Sequence, residues 1–180
     1  MTTALRPTLR ARLREGTQAR HRKLDDALSA YDIRTPGGLA AFLSVHEAAF
    51  SRIGPGAGVS GRVLPDLLQR LRADLVVLGA AHCAACDPAA ATPARRRHPV
   101  AVDYVTLGSR LGSKVLRRRW ATSPDPLVQR ASAYFTAPGY LDEWRRFCDA
   151  AETAPADDAD AELAVADANG IFDVFLETLS

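Results

Sequence analysis

One histidine in a helical pattern is the first residue of this sequence that could do chemistry. His21 belongs to a run in which apolar or small side chains recur every three or four residues: Leu13, Thr17, Leu24 and Leu28. This spacing is one face of a helix, so we expect His21 to point inward among these side chains. An inward imidazole is either a core residue bonded to a carbonyl group or a metal ligand, and its position alone leaves both readings open.

A strip of small residues is the second candidate. Gly108 and Gly112 are four residues apart, and Ser109 and Ser113 repeat the same spacing. In a helix this arrangement leaves one face with almost no side chain. Each glycine inside a helix costs about 1 kcal/mol relative to alanine, so two of them require a reason. Either another helix packs closely against the strip, or a flat, rigid ligand lies against it.

Two further histidine-containing stretches need an interpretation. The sequence His82-Cys83-Ala84-Ala85-Cys86 holds one CxxC pair beside a histidine. A c-type heme site needs the histidine after the second cysteine, and a structural zinc site needs four ligands. We interpret this stretch as an incidental loop sequence, with a metal or redox role as the alternative. His46, in an apolar helical run, is predicted to lie in the core or to line a pocket.

Composition limits the classes of protein. A chain of 180 residues with 47% hydrophobic residues can bury one sizeable core, so we expect a single domain over residues 1–180. A formal charge of +2 gives no reason to expect nucleic-acid binding. Three cysteines without a signal-peptide pattern favour a reducing, cytoplasmic setting. No apolar run is long enough to span a bilayer, so no membrane association is expected.

Prolines, glycines and capping residues divide the chain into seven or eight helices and predict an all-α fold. Strand patterns are nearly absent from the sequence. We expect Leu163, Ala166, Gly170, Val174 and Leu179 to form the buried side of the last helix, which Asp157 or Asp158 caps. The other predicted starts are Thr8, Thr35-Pro36, Pro65-Asp66, Pro99 and the residues after Pro138-Gly139, with a loop over Ala80–His98 and a short ambiguous segment up to Phe135.

The order of these motifs resembles the heme oxygenase family, in particular its bacterial branch often found with bacteriophytochromes. The resemblance rests on LREGTQARHRKLDDAL and DYVTLGSRLGSKVL, the second of which is similar to the family's distal helix. It extends over RTPGGLAAFLSVHEAAF, RADLVVLG, PGYLDEWRRF and FDVFLETL, and so over nearly the whole chain. The family is all-α and holds heme between a proximal helix and a glycine-containing distal helix.

The resemblance implies a role for each matching residue. His21 matches the proximal iron ligand, and Arg14, two turns earlier, matches a basic residue that contacts a heme propionate. Asp25 falls where the family places a carboxylate near the ligand, which agrees with second-shell orientation of an imidazole. Gly108 and Gly112 match the distal glycines, and a wall without a coordinating side chain would leave the sixth iron position open to oxygen. Thr17 and Tyr104 are expected to complete the heme-binding residues.

The chain also departs from the family pattern on the distal helix. Leu107 stands where related bacterial sequences tend to have glutamate, and Ser113 replaces the second glycine of the usual pair. Ser109 occupies a position where some branches use aspartate to order the distal water network. We expect Ser109 and Ser113, with the two glycines, to form the distal catalytic wall, where Ser113 either crowds the pocket or supplies a hydroxyl. These changes put turnover and regiochemistry in doubt more than the fold.

The resemblance therefore predicts a heme oxygenase, in which heme b is both cofactor and substrate. Oxygen and reducing equivalents would convert it to biliverdin, carbon monoxide and ferrous iron. Expected partners are heme, O2, an electron donor such as ferredoxin or a flavoprotein reductase, and a bacteriophytochrome as a biliverdin acceptor. The runs Arg95–Arg97 and Arg117–Arg119 are typical of solvated surface, or they attract propionates or an acidic donor. The alternatives are a heme carrier or sensor that does not turn heme over, and a helical interaction protein without heme.

Overall fold

Capping side chains and prolines begin most helices of the computed structural model, which describes residues 7–54, 56–80 and 96–179. Thr8, Thr35, Asp125 and Asp158 each accept a hydrogen bond from a backbone N–H in the first turn that follows. Within the described ranges the chain forms helices and no strands, which confirms the all-α prediction. The helices are α1 (Leu9–Ser29), α2 (Pro36–Ile53), α3 (Ser60–Val77), α4 (Pro99–Ala121), α5 (Pro126–Arg130), α6 (Leu141–Thr153) and α7 (Ala159–Glu177).

The predicted start of α3 at Pro65 is wrong, because the helix begins at Ser60 and contains Pro65. The first turn is held from another helix. Asp103 of α4 accepts hydrogen bonds from the backbone N–H groups of Val59 (3.1 Å) and Ser60 (2.7 Å). A carboxylate that far along the chain satisfies the N–H groups that a helix start leaves unpaired, and no local pattern reveals it.

α7 packs against three other helices, α1, α2 and α4. Its predicted buried side is correct only in part. Of the five residues expected there, Val174 is buried and Gly170 and Leu179 are half-buried, whereas Leu163 is 40% exposed and Ala166 is exposed. Contact with three helices requires a broad buried surface, which is centred on another side of α7. That surface comprises Ala161, Ala164, Asp167, Ala168, Ile171, Phe172, Val174 and Phe175.

The core lies between α1, α2, α3, α7 and the inner side of α4. Leu13, Phe42, Phe50 and Leu67 are among its fully buried side chains. His46 is buried there too, as predicted. None of the helices in the described ranges combines the length and hydropathy that a bilayer crossing requires.

Candidate functional site

Two contacts tie α1 to α4, roughly four helical turns apart. At the first, the hydroxyl oxygens of Thr17 and Tyr104 are 3.4 Å apart, and the two residues are separated by 87 positions in sequence. At the second, Arg119 Nη2 lies 3.5 Å from Oδ1 of Asp32, in the turn after α1, again a separation of 87. The helices therefore run parallel in a fixed register. Between these two contacts α1 and α4 touch each other little, and each of them packs against α6 and α7.

We call the space between α1 and α4, over α7, the groove. One side of α4 carries Tyr104 and Arg119, which contact α1 and the turn after it. The same side carries Gly108, Leu111, Gly112 and Val115. Leu111 is 40% exposed and Val115 is 68% exposed. A Cβ atom built on Gly112 would meet no other atom within 4 Å. From Leu111 to Val115 this side of α4 is apolar but uncovered, unlike an ordinary helix-helix interface.

His21 lies level with Gly108 in this register. Its side chain is 58% exposed, so the predicted burial of His21 in the core is wrong. The ring shares the side of α1 that carries Thr17 toward α4, and it packs edge-on against Phe172 of α7 with the ring centroids 5.5 Å apart. The residue expected inside the core therefore stands at the wall of the groove.

Asp25 orients the imidazole of His21. Its Oδ2 atom lies 3.3 Å from Nδ1 of the histidine, one helical turn earlier. When the neutral imidazole donates from Nδ1 to a carboxylate, the lone pair remains on Nε2, as in many histidines that bind metal ions. The pair is thus chemically suited to hold a metal through Nε2.

Arg14 and Thr17 lie on the same side of α1 as His21. Arg14 is exposed and forms no ion pair with any residue in the described ranges. Thr17 is buried, and its hydroxyl donates to the carbonyl of Leu13 at 2.7 Å. The structure therefore places Arg14, Thr17, His21 and Asp25 on one side of α1, and the contact between Thr17 and Tyr104 joins this side to the side of α4 that carries Gly108 and Gly112.

The two serines predicted for the distal wall differ from the glycines in their environment. Ser109 donates its hydroxyl to the carbonyl of Thr106 at 2.8 Å, and Ser113 donates to the carbonyl of Ser109 at 3.0 Å. Ser113 is buried on the side of α4 opposite Val115, so it neither crowds the groove nor supplies a hydroxyl to it. This corrects both roles predicted for Ser113. Leu107 is fully buried in the core.

Sequence reasoning missed Trp144 and Arg110. A Cβ atom on Gly108 would lie 3.8 Å from Cζ3 of Trp144, so the indole covers this part of the glycine strip. Trp144 and Phe147, three residues apart in an otherwise charged helix, gave a signal that could have located this aromatic surface. Arg110 gave none. It is buried, and its guanidinium lies 4.9 Å from the ring centroid of Tyr134.

His46 has surroundings unlike those of His21. Four aromatic rings lie around it, and its Nδ1 is 2.8 Å from the carbonyl of Phe42. The pKa of His46 is lowered to about 4, mainly by burial and also by the charge of Arg110, although the bond to the Phe42 carbonyl acts in the opposite direction. His46 is therefore a neutral core residue.

No family model matches this chain, and the comparison with curated proteins gives no match either. Among the residues that the structure describes, no three His, Cys, Asp or Glu side chains come together as a metal site. His82, Cys83 and Cys86 of the CxxC stretch lie outside the described residues, as does Arg95.

Proposed function

We propose that the chain is a heme oxygenase that binds heme in the groove and degrades it to biliverdin, carbon monoxide and ferrous iron. One observation carries the proposal. His21, exposed and paired with Asp25, stands at the level of Gly108, one helical turn before Gly112, where an added Cβ atom would meet nothing within 4 Å. An imidazole on one wall and bare backbone on the other suit a planar ligand whose iron needs one protein ligand and one open position.

The walls of the groove fit the apolar faces of a macrocycle. Leu111 and Val115 on α4 provide exposed apolar surface on one side, and on the other side His21 packs against Phe172, which is itself buried. Covering this surface would release about 25 cal/mol for each Å² removed from water. Arg14, unpaired among the described residues, would offer a carboxylate at the ligand edge a charge-assisted bond usually worth about 1 to 3 kcal/mol.

Each residue would then have a separate task. Bound heme would supply both the iron centre and the carbon skeleton to be oxidised. Asp25 would keep the proton of His21 on Nδ1, so that Nε2 remains the coordinating atom. Gly112 would keep the opposite wall free of side chains. Turnover would also need an electron donor such as ferredoxin or a flavoprotein reductase, and a bacteriophytochrome could accept the product.

Replacement of His21 tests the proposal directly. We expect His21→Ala to fold but to lose the absorption spectrum of imidazole-bound hemin, and added imidazole should restore part of it. Lys23→Ala is the matched control, since Lys23 is exposed on another side of α1. A Soret band and a turnover in His21→Ala equal to those of the parent chain would refute the assignment of His21.

Replacement of Gly112 tests the opposite wall. A leucine at this position would fill the space assigned to heme, so Gly112→Leu should lower hemin affinity or abolish turnover while the apo helix remains intact. Lys114→Leu adds the same side chain to an exposed site on another side of α4 and serves as the control. Full binding and turnover in Gly112→Leu would mean that the glycine does not face the ligand.

A heme carrier or sensor on the same fold is the second candidate, and the serines favour it. Ser109 and Ser113 donate their hydroxyls to main-chain carbonyls, so neither can donate a hydrogen bond to distal water, and Ser113 is also buried away from the groove. Ascorbate or a reductase added to the hemin complex separates the two functions. Loss of the Soret band with formation of biliverdin indicates an oxygenase, whereas a persistent band indicates a carrier or sensor.

A further inference from the structure

The two glycines of α4 have different neighbours, and Trp144 marks the boundary between them. At Gly108, an added Cβ atom would lie 3.8 and 3.9 Å from two ring carbons of Trp144. At Gly112, one turn later, it would meet nothing within 4 Å. The uncovered part of the glycine strip therefore ends at the indole.

Trp144 belongs to an aromatic layer. Its ring stacks on Phe147 with an interplanar angle of 17° and a centroid distance of 5.5 Å. The ring of Tyr104 on α4 packs against both rings, with centroid distances of 6.1 Å to Trp144 and 6.0 Å to Phe147. The layer therefore restrains Trp144 from two sides.

A hydrogen bond joins this layer to α1. Thr17 uses its one hydroxyl hydrogen in the bond to the Leu13 carbonyl, so Tyr104 must be the donor across the 3.4 Å to Thr17. The three helices α1, α4 and α6 meet at this point. The end of the groove beside Trp144 is thus closed by packed rings, whereas the stretch along Gly112 and Val115 stays open.

We propose that Trp144 is a specificity-determining wall, which fixes how a planar ligand is rotated within the groove. This inference rests on the proposed function, since it concerns the orientation of heme. The four edges of a heme carry different substituents, so a rigid indole accepts some edges and rejects others. The heme edge that lies next to Trp144 then sets the rotation of the heme. This rotation determines which bridging carbon faces the oxygen-binding side.

The test compares Trp144→Ala with the parent chain, with Asp149→Ala as the matched control because Asp149 is exposed on another side of α6. Proton NMR of the ferric, cyanide-bound hemin complex counts the heme orientations, and chromatography identifies the biliverdin isomers. We expect Trp144→Ala to change the ratio of two orientations by about tenfold, equivalent to 1.4 kcal/mol, and to change the isomer ratio in parallel. Asp149→Ala should leave both ratios unchanged.

Trp144→Phe keeps an aromatic ring of smaller size and should give an intermediate ratio, which covers the case in which the alanine variant does not fold. If hemin still binds through His21 and the orientation ratios are unchanged in both Trp144 variants, the specificity role of Trp144 is refuted and the proposed function is unaffected. Tighter hemin binding with unchanged orientation ratios would also overturn this inference, because Trp144 would then only obstruct hemin binding and would not select an orientation. Failure of the parent chain to bind hemin would overturn the proposed function, and this inference with it.

Discussion

His46 and His21 lie on helices with similar apolar spacing, yet their environments are opposite. His46 is enclosed by the rings of Phe42, Phe50, Tyr134 and Phe175, whereas His21 touches Phe172 and is otherwise largely open. The difference comes from the neighbouring helices. α2 packs against α3, α5 and α7, whereas α1 packs against α6 and α7 and has little contact with α4. Burial of a histidine is therefore decided by tertiary packing and not by its own helix.

The largest expected effect is a loss of stability on acidification through His46. The folded chain keeps this ring neutral down to its pKa of about 4, whereas an unfolded histidine takes up a proton near pH 6.5. The unfolded state therefore binds more protons between these values. The free energy of unfolding should fall by about 3 kcal/mol as the pH drops from about 6.5 to about 4.

The comparison is made by urea unfolding of the parent chain and His46→Gln at several pH values. The amide of glutamine can still donate to the Phe42 carbonyl but does not titrate. The difference in unfolding free energy between the two chains should therefore change across this pH range in favour of the variant. A difference that stays constant with pH would show that His46 is not enclosed as described.

A second prediction concerns the carboxylate that supports the aromatic core. Asp74 is buried and accepts hydrogen bonds from the backbone N–H groups of Ala133 (2.9 Å) and Tyr134 (2.8 Å), and burial raises its pKa. Asp74→Asn turns one acceptor atom into a donor and should cost about 1 to 3 kcal/mol in urea unfolding. Asp173→Asn, in a half-exposed ion pair with Arg20, should cost less than about 1 kcal/mol. Equal costs would contradict this contrast.

A third prediction concerns Gly112 in the groove, where we expect a substitution to increase stability instead of lowering it. Gly112 has open space above it, so Gly112→Ala should raise the free energy of unfolding by about 1 kcal/mol through helix propensity. Gly16→Ala is the informative counterpart. Its Cβ atom would come within 2.6 Å of Cγ1 of Val165, so this variant should be destabilised in the same urea assay. A destabilised Gly112→Ala would mean that the strip is covered.

Much of the fold could be predicted from the sequence because local chemistry fixes it. Thr35 with Pro36, and Asp158, begin their helices through contacts within one turn. The start of α3 could not be predicted, since its cap is Asp103 on another helix. The site divides in the same way. Gly112 lies on an open side of α4, as a helical pattern can indicate, but the cover that Trp144 gives Gly108 depends on how α6 packs.

The smallest expected effect is the one that separates the two histidines most sharply. In the apo protein His21 contributes an edge contact with Phe172 and an exposed bond to Asp25, both largely in water. His21→Gln should therefore change the free energy of unfolding by less than about 0.5 kcal/mol, as is usual for exposed positions. Urea unfolding at pH 7.5 measures this change. A loss of unfolding free energy above about 1 kcal/mol would show that the His21-Asp25 pair contributes to the packing between α1 and α7. His21 would then have a structural role, and its position in the groove would no longer support ligand binding.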